Sequence, residues 1–213
     1  MRKLVLKMSV SVDGFVGGPE GQMDWMFPSM DTGVTSWIVD TLRQAGVHIM
    51  GSRTFHDMAA YWPFSSEPFA PPMNDVPKVV FSKRGYVDTR EPGKTTRALD
   101  DSTRAHGPIG ASALGATDSW AGARVASGDL ASEIEKMKAE RGKEILAHGG
   151  ASFARSLVAA NLVDELRLIV HPAVLGRGLA LFAGVARPLP LTLISTTRFD
   201  SGAIANVYQP AKR

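Results

Sequence analysis

The sequence predicts an α/β fold with a mixed, mostly parallel sheet, and three features of the 213-residue chain predict it. Short apolar runs alternate with amphipathic helical stretches for most of the chain. Several of these runs end in glycine, serine or threonine, which is typical of strand-to-helix turns. The last apolar stretch is a β-hairpin, so an antiparallel pair is expected at the end of the chain.

The strands are predicted from the apolar runs. In residues 4–12 apolar side chains alternate with others, and this first strand ends at Asp13-Gly14. The later runs are shorter and turn into polar or glycine-containing segments. These predicted strands are 47–50, 78–82, 123–127, 144–147 and 164–172, followed by a hairpin over 189–209 that turns at Asp200-Ser201-Gly202.

The helices are predicted from apolar periodicity and from residues that cap helix ends. In the first helix, apolar residues recur at helical spacing between Val34 and Leu42. Asp31 or Thr32 can cap its start, and Gly46 can end it. The other predicted helices are a short one capped by Ser52 or Thr54 and ended by Pro63, one between Asp129 and Gly142, and one from about Ser152 to Ala160.

Composition excludes several classes of protein. The hydrophobic fraction of 44% and charged fraction of 21% suit a globular protein, and no apolar run is long enough to span a membrane. The absence of cysteine excludes disulfides, thiolate metal sites and cysteine nucleophiles, and it fits a cytoplasmic protein. The histidines are scattered without metal-ligand spacing, so we expect no metal.

A net charge of +3 and a pI of about 9.3 favour an anionic ligand, but the basic residues are dispersed and indicate no nucleic-acid surface. We expect one domain over residues 1–213. Residues 86–122 contain few apolar anchors and are interpreted as a surface insertion, either a lid over a ligand or a mobile excursion.

Three predicted strands, ending at Met50, Ser82 and Ala147, are each followed by a turn of small or cationic residues. Helix N-termini beyond such strand ends bind phosphate, so a phosphate-rich ligand is one interpretation, and plain structural turns are the other. Arg53 and Lys83 would suit the additional phosphate of NADPH. Neither the GxGxxG fingerprint nor a P-loop is present, and Ser152 does not complete a GxSxG motif.

Four segments together resemble the dihydrofolate-reductase-like superfamily: "KLVLKMSVSVDGFVGG", "VHIMGSRTF", "KVVFSK" and "EILAHGGASFARSLVAANLVDELRLIVHPAVLGRGLALF". Within it, the chain is most similar to the C-terminal reductase domain of the bacterial bifunctional enzyme of riboflavin biosynthesis and to its stand-alone relatives. The resemblance covers nearly the whole chain apart from 86–122. It implies an eight-stranded mixed sheet flanked by helices, NADPH as cofactor, and hydride transfer to a pyrimidine-like or pteridine-like heterocycle.

The resemblance also implies which residues bind the cofactor. Val16, Gly17 and Gly18 would form a flexible loop that closes over the nicotinamide. Gly51, Ser52, Arg53 and Thr54 would hold the pyrophosphate and the 2′-phosphate side. The remaining positions are Phe81, Ser82 and Lys83 at the adenosine end, Gly149 and Gly150 against the nicotinamide and pyrophosphate, and Ala151, Ser152 and Phe153 at the helix start.

The substrate side departs from the family patterns. Dihydrofolate reductases place a carboxylate after a Trp-x-x-Pro segment, but Asp31 falls one residue late, so it is a candidate catalytic residue or a plain helix cap. Riboflavin-pathway reductases usually follow Asp-Gly with a cation, where Phe15 stands here. Asp13 is a second catalytic candidate or an ordinary turn residue. The candidate substrate residues are Trp25, Trp62, Leu175, Gly176 and Arg177.

The expected function is therefore that of an NADPH-dependent reductase similar to 5-amino-6-(5-phosphoribosylamino)uracil reductase, acting on a small heterocycle or a related conjugated compound. Dihydrofolate reductase is one alternative. A non-catalytic NADPH-binding sensor or assembly protein is another. The expected partners are the small-molecule substrate and a second copy of the chain in a homodimer.

Overall fold

Eight strands form a single sheet in the order β4-β3-β2-β5-β1-β6-β8-β7 in the computed structural model, which describes residues 1–84, 87 and 118–211. The first six strands in the chain run parallel, and β8 and β7 are antiparallel to their neighbours. In chain order the strands are β1 Leu4–Ser11, β2 Ala45–Gly51, β3 Lys78–Phe81, β4 Arg124–Ala126, β5 Glu144–Ala147, β6 Glu165–His171, β7 Leu191–Arg198 and β8 Ile204–Pro210. The predicted class, with its C-terminal hairpin, is confirmed.

Helices cover both faces of this sheet. They are α1 Thr32–Gln44, α2 Ser52–Ala59, α3 Ala70–Asp75, α4 Asp118–Ala121, α5 Leu130–Ala139 and α6 Ala151–Ala159, with 3-10 helices at Asp24–Ser29 and Trp62–Phe64. Apolar residues of α1, α2 and α3 pack in one core cluster with Val5, Leu146 and Ile169. Those of α5 and α6 pack on the other face, in a cluster that includes Leu4 and Leu6.

Strand β1 shows why the sheet lies in the middle of the molecule. Leu4, Val5 and Leu6 are all fully buried, because consecutive side chains enter the two opposite cores. Burial of each such leucine stabilises the fold by roughly 1.5–3 kcal/mol. Helices on both faces leave the carboxyl ends of the parallel strands as the place where a ligand can approach the backbone.

The predicted helix ends are partly confirmed. Asp31 and Asp129 cap α1 and α5 through side-chain bonds to the backbone N–H groups of Val34 and Ser132. The end predicted at Gly46 is wrong, since α1 ends at Gln44 and the extended Ala45 begins β2. The side-chain cap predicted for α2 is also wrong, because Gly51 occupies the N-cap position without a side-chain bond.

The predicted surface insertion at 86–122 lies largely outside the described residues, which include only Val87 and 118–122 of it. At these two ends the segment enters the core, since Val87 and Trp120 are both buried among the residues of the α1 face. The Trp120 indole N–H donates to Asn74 Oδ1 over 2.7 Å, and its ring lies 4.4 Å from Lys78 Nζ. None of the helices in the described ranges is both long and apolar enough to cross a membrane.

Candidate functional site

The turns that follow β2 and β5 touch each other. Gly150 has a φ of +93°, and a Cβ atom at this position would lie 2.5 Å from Thr54 Oγ1. Glycine is therefore required here by the backbone conformation and by the approach of α2. Gly149 is different, because a Cβ atom there would make only an ordinary contact of 3.6 Å with Met8 Cε. The protein's own packing does not explain a glycine at position 149.

The end of β3 joins the same group through aromatic contacts. The rings of Phe81 and Phe153 lie 5.2 Å apart, and a Cβ atom at Gly51 would meet Phe153 Cβ at 3.5 Å. Three strand ends and the first turns of α2 and α6 thus form one edge of the sheet. The predicted cofactor residues that meet there are Gly51, Ser52, Arg53, Thr54, Phe81, Ser82, Lys83, Gly149, Gly150, Ala151, Ser152 and Phe153.

This edge is suited to an anionic, elongated ligand. The helix N-termini present backbone N–H groups with the positive end of each helix dipole. Arg53 and Lys83 are both exposed and add two positive charges. An anion that lies along this edge would therefore meet hydrogen-bond donors from α2 and α6 and full charges from two side chains.

Backbone hydrogen bonds join the loop after β1, residues 16–18, to a later segment of the chain. Val16 N–H donates to Leu179 O over 2.9 Å, and Leu179 N–H donates to Gly17 O over 2.8 Å. Phe15 forms an isolated antiparallel bridge with Ala180. Two backbone bonds thus hold Val16 and Gly17 against residues 179–180. The closure of residues 16–18 over a nicotinamide stays a prediction.

Asp13 anchors a second loop at the same end of the sheet. Its carboxylate accepts the N–H groups of Leu175 and Gly176, the latter over 2.7 Å, and the hydroxyl of Ser11 over 2.6 Å. These bonds, that of Ser11 foremost, hold the pKa of Asp13 below its ordinary value. Asp13 is therefore an ionised clamp that positions the 175–176 backbone. Its predicted catalytic role stays a prediction, and a carboxylate occupied in this way is poorly suited to proton donation.

Four of the predicted residues line one cavity of about 300 Å³. They are Gly18, Trp25, Leu175 and Arg177, and the cavity also contacts Pro19, Gln22 and Asp24. The Trp25 indole N–H donates to Gln22 O over 3.0 Å, which fixes the ring in the cavity wall. Gly176 lies between Leu175 and Arg177 in the same loop, and its backbone N–H donates to the carboxylate of Asp13.

Two of the predicted site residues, Trp62 and Asp31, have structural roles in the fold. Trp62 does not line this cavity, because its ring packs edge-on against Tyr61 and Phe69 at the α1-face core. Asp31 serves as a helix cap, and its other oxygen accepts the N–H of Ser201 over 2.8 Å. The bonds from Val34 and Ser201 hold the pKa of Asp31 below its ordinary value, so the carboxyl group stays ionised and occupied by backbone donors.

Lys7, to which the sequence pattern assigned no role, lies on strand β1 in the middle of the sheet. Lys7 points from β1 toward the α1 face of the sheet, as Val5 does. Leu6 pairs with Ala147 across β1 and β5, so Lys7 and His148, one residue further, are neighbours. Burial lowers the pKa of Lys7 to about 8. The sequence signal at this position is a lysine that interrupts an apolar strand. No hydrogen bond or ion pair joins Lys7 to another residue in the described parts of the chain.

The sequence patterns also did not indicate two further titratable groups, Asp57 and His171. Asp57 lies one helical turn beyond Thr54, on the same side of α2, and burial raises the pKa of its carboxyl group to about 6. His171 ends β6 beside Ser11 of β1, and it is fully buried. Burial, followed by the charge of Lys7, lowers the pKa of His171 to about 4, so its imidazole is neutral.

The chain matches the RibD C-terminal domain over residues 2–205. The chain belongs to this family. It is also 30% identical over 207 residues to the uncharacterized protein YyaP of Bacillus subtilis (strain 168), covering 97% of this chain and 94% of that protein. The family supports an oxidoreductase of the riboflavin-pathway type.

Solved structures show the same fold at low sequence identity. A pyrimidine reductase-like protein from Corynebacterium diphtheriae superposes with a TM-score of 0.62 at 16% identity, over 100% of this chain and 93% of that one. Dihydrofolate reductase from Enterococcus faecalis, in complex with NADP(H), superposes with a TM-score of 0.58 at 13% identity, over 99% and 97% of the two chains. The RibD C-terminal domain of this chain thus has the dihydrofolate-reductase-like fold.

Proposed function

We propose that the protein is an NADPH-dependent reductase that transfers a hydride to a small pyrimidine-like or pteridine-like heterocycle, or to a related conjugated C=N or C=O compound. The observation that carries this proposal is the meeting of three parallel strand ends and two helix N-termini beside the cavity at Trp25. The dinucleotide would lie along the strand ends, and the substrate would enter the cavity. Membership in the RibD C-terminal domain family supports the same class of reaction.

The residues of this edge fit such a cofactor. At Gly149 a Cβ atom would make only an ordinary contact with Met8, so the packing of the protein does not require glycine there. The first turns of α2 and α6 would hold the phosphates, and Arg53 would contact the 2′-phosphate. When bound, the reduced nicotinamide supplies the hydride. The protein's own task is to orient the two ring systems and to exclude water.

The proton that accompanies reduction of a C=N or C=O bond would come from Lys7. With a pKa of about 8 its side chain is mostly an ammonium ion at pH 7, and it has no partner among the described residues. It lies on the α1 face of the central strand, next to the end of β5. From there it would stabilise negative charge on a substrate heteroatom or donate a proton to it.

Neither Asp13 nor Asp31 suits this task, since backbone N–H groups occupy both carboxylates. The arrangement therefore gives no support to the dihydrofolate reductase alternative, which would use a carboxyl group after the Trp-x-x-Pro segment. The expected homodimer stays a prediction.

The cofactor assignment is tested by titrating NADPH and NADH against tryptophan fluorescence. Arg53→Ala is expected to weaken NADPH binding by about 1.5–3 kcal/mol, the value of one charge-assisted hydrogen bond, and to leave NADH binding nearly unchanged. Arg141→Ala is the matched control, because Arg141 is also exposed but lies before β5, at the opposite edge of the sheet. An equal loss for both nucleotides would contradict the role of Arg53.

Turnover is tested by following the absorbance of the reduced nicotinamide with dihydrofolate, the riboflavin-pathway pyrimidinone, quinones and simple carbonyl compounds. Loss of absorbance with a heterocycle is the expected result. Binding of NADPH without turnover of any of these compounds would favour the non-catalytic alternative. Failure of the wild-type protein to bind either nucleotide would overturn the proposed function.

A further inference from the structure

Two segments that are far apart in the sequence, residues 14–17 and 178–181, form a short ladder next to the proposed substrate cavity. Three backbone hydrogen bonds join them. They are donated by the N–H groups of Val16 over 2.9 Å, Leu179 over 2.8 Å and Leu181 over 2.9 Å. We call this pairing the loop ladder.

The loop ladder leads into both sides of the cavity wall. On the first segment Gly18, which lines the cavity, follows the ladder immediately. On the second segment Arg177, which also lines the cavity, immediately precedes it. Gln22 O accepts the N–H of Gly18 and the indole N–H of Trp25, both over 3.0 Å. The position of the ladder therefore affects the position of these lining residues, including Trp25.

A side chain outside the two segments holds the loop ladder. Arg155 lies on α6, and its Nε–H donates to Ala180 O over 2.7 Å. The backbone pairing of the ladder does not use this carbonyl, and within residues 1–84, 87 and 118–211 Arg155 is its only hydrogen-bond donor. Helix α6 is itself fixed in the core by Ala154 and Leu157, which are fully buried. Arg155 thus connects the ladder to a rigid element of the fold.

The hydrogen bond of Arg155 is of a strong kind, because its donor is a charged guanidinium group. Without this donor the partly buried Ala180 carbonyl would have no partner among the described residues, which costs free energy. The side chain of Leu181 is fully buried and would still hold its end of the ladder. Loss of the Arg155 bond is therefore expected to loosen the ladder on the side of the cavity and to leave the core intact.

We propose that Arg155 is a positioning residue, whose hydrogen bond to Ala180 fixes the loop ladder and thereby holds the cavity wall at Gly18, Trp25 and Arg177 in place. Arg155 does not line the cavity, so it acts on a bound molecule through the ladder. The inference rests on the proposed function for the statement that this cavity takes the substrate. It adds a residue that controls the shape of the cavity from the helix of the proposed cofactor edge.

Two substitutions separate the hydrogen bond of Arg155 from its charge. Arg155→Gln places an N–H donor the same number of bonds from Cα as the Nε–H of arginine, but it carries no charge. Arg155→Met has a methyl group at that place and cannot donate. Arg2→Met is the matched control, because Arg2 Nε–H also donates to a backbone carbonyl, that of Lys143 over 2.6 Å, at the opposite edge of the sheet.

Amide hydrogen exchange in the full-length protein without ligands measures the ladder directly. In Arg155→Met the protection of the Val16 and Leu179 amides should fall by about tenfold or more, because the segment opens locally. Arg155→Gln and Arg2→Met should retain it within about threefold. The amide of Ile145, which bonds Lys3 O within the core, reports global unfolding. Unchanged ladder protection in Arg155→Met, or an equal loss at Ile145, would overturn the proposal.

The cavity wall is observed through the indole N–H of Trp25 in NMR spectra of the same samples. Its resonance is identified by its absence in Trp25→Phe. We expect the Trp25 resonance to shift in Arg155→Met and to stay in place in Arg155→Gln and Arg2→Met. The resonance of Trp62, which packs at the α1-face core, should not move in any of them. An unmoved Trp25 resonance in Arg155→Met would show that the ladder does not position the wall.

Kinetics then distinguish positioning of the cavity from contact with the cofactor. With the compound that the wild-type protein reduces in the turnover assay, Arg155→Met should raise KM by about tenfold and change the Kd of NADPH by less than about twofold. Arg155→Gln should restore KM. A comparable loss of NADPH affinity in both variants would place the guanidinium in the cofactor site and overturn the proposal. If the wild-type protein reduces none of the compounds, the proposed function fails, while hydrogen exchange and NMR still decide the role of Arg155.

Discussion

Lys7 gives the proposed reaction a defined pH dependence. The ammonium form, which would supply the proton, predominates below a pKa of about 8 and is lost as the pH rises through that value. We expect kcat/KM to fall above pH 8 for the wild-type protein. Lys7→Met should lower kcat/KM by about 100-fold or more near pH 7 and remove this inflection, since general acid catalysis contributes about that factor.

The control for this prediction is Lys3→Met. Lys3 precedes β1, and its exposed side chain pairs with the buried Glu165 over 3.3 Å, away from the strand ends of the candidate site, so its substitution should leave the pH profile unchanged. The measurement is the pH dependence of nicotinamide oxidation with saturating NADPH. An inflection near pH 8 that persists in Lys7→Met would show that another group titrates.

The sequence did not predict the contacts of individual polar side chains near the site. Asp13 and Asp31 were visible in the sequence as carboxylates near a predicted pocket, but backbone N–H groups from distant segments, at Gly176 and Ser201, occupy them. Conversely, Lys7 interrupts an apolar strand and could be taken for an outward-facing residue. Its role depends on which strands flank β1, and strand order is not encoded in local spacing.

At the level of elements, the two glycines of the turn between β5 and α6 differ, because packing requires Gly150 and a role in cofactor binding is proposed for Gly149. Gly150→Ala should destabilise the fold by about 1–3 kcal/mol, because φ is +93° and Thr54 Oγ1 occupies the space of the new methyl group. Gly149→Ala should change the unfolding free energy by no more than about 0.5 kcal/mol, since its Cβ would make an ordinary contact.

NADPH affinity should be affected in Gly149→Ala although the stability of this variant is nearly unchanged. If the dinucleotide lies against Gly149, Gly149→Ala should weaken NADPH binding by about tenfold or more although the fold is intact. Urea denaturation measures stability, and the fluorescence titration measures binding. If Gly149→Ala binds NADPH as tightly as the wild-type protein does, Gly149 does not contact the cofactor.

The elements themselves were predicted well where a local interaction defines them. The caps of α1 and α5 follow from aspartates that bond to the backbone three residues later. The start of α2 was expected near Ser52 or Thr54 and lies at Ser52, but the cap residue is Gly51, which leaves the helix N–H groups without a side-chain partner. A terminus of this kind can bind a ligand, and local sequence cannot show that.

At the level of the whole molecule, three buried neutral histidines should make the fold sensitive to acid. Burial lowers the pKa of His48 to about 3 and that of His171 to about 4, and it also lowers the pKa of His148 well below its usual value. Between pH 6.5 and 4 the unfolded chain therefore binds more protons than the folded one, so stability falls as the pH falls. The slope is at most about 1.4 kcal/mol per pH unit for each histidine.

Urea denaturation at several pH values between 4.5 and 7.5 measures this effect. His48→Leu should reduce the dependence of the unfolding free energy on pH by the contribution of about one histidine. Both ring nitrogens of His48 are buried without a hydrogen-bond partner among the described residues. A stability that is constant from pH 6.5 to 4.5 would contradict the burial of these rings as neutral groups.

The sequence by itself determined the class of fold, the order along the chain of the eight strands and of helices α1, α2, α5 and α6, the C-terminal hairpin and the glycine-containing turns after β2 and β5. These features depend on periodicity, caps and backbone preferences, which act between residues close in the chain. Only the tertiary structure decided that Trp25 faces a cavity and Trp62 a core, and that Asp13 and Asp31 hold backbone segments. The physical reason is that the central position of β1 between β5 and β6 determines which side chains meet, and such long-range pairing arises from the packing of the whole sheet.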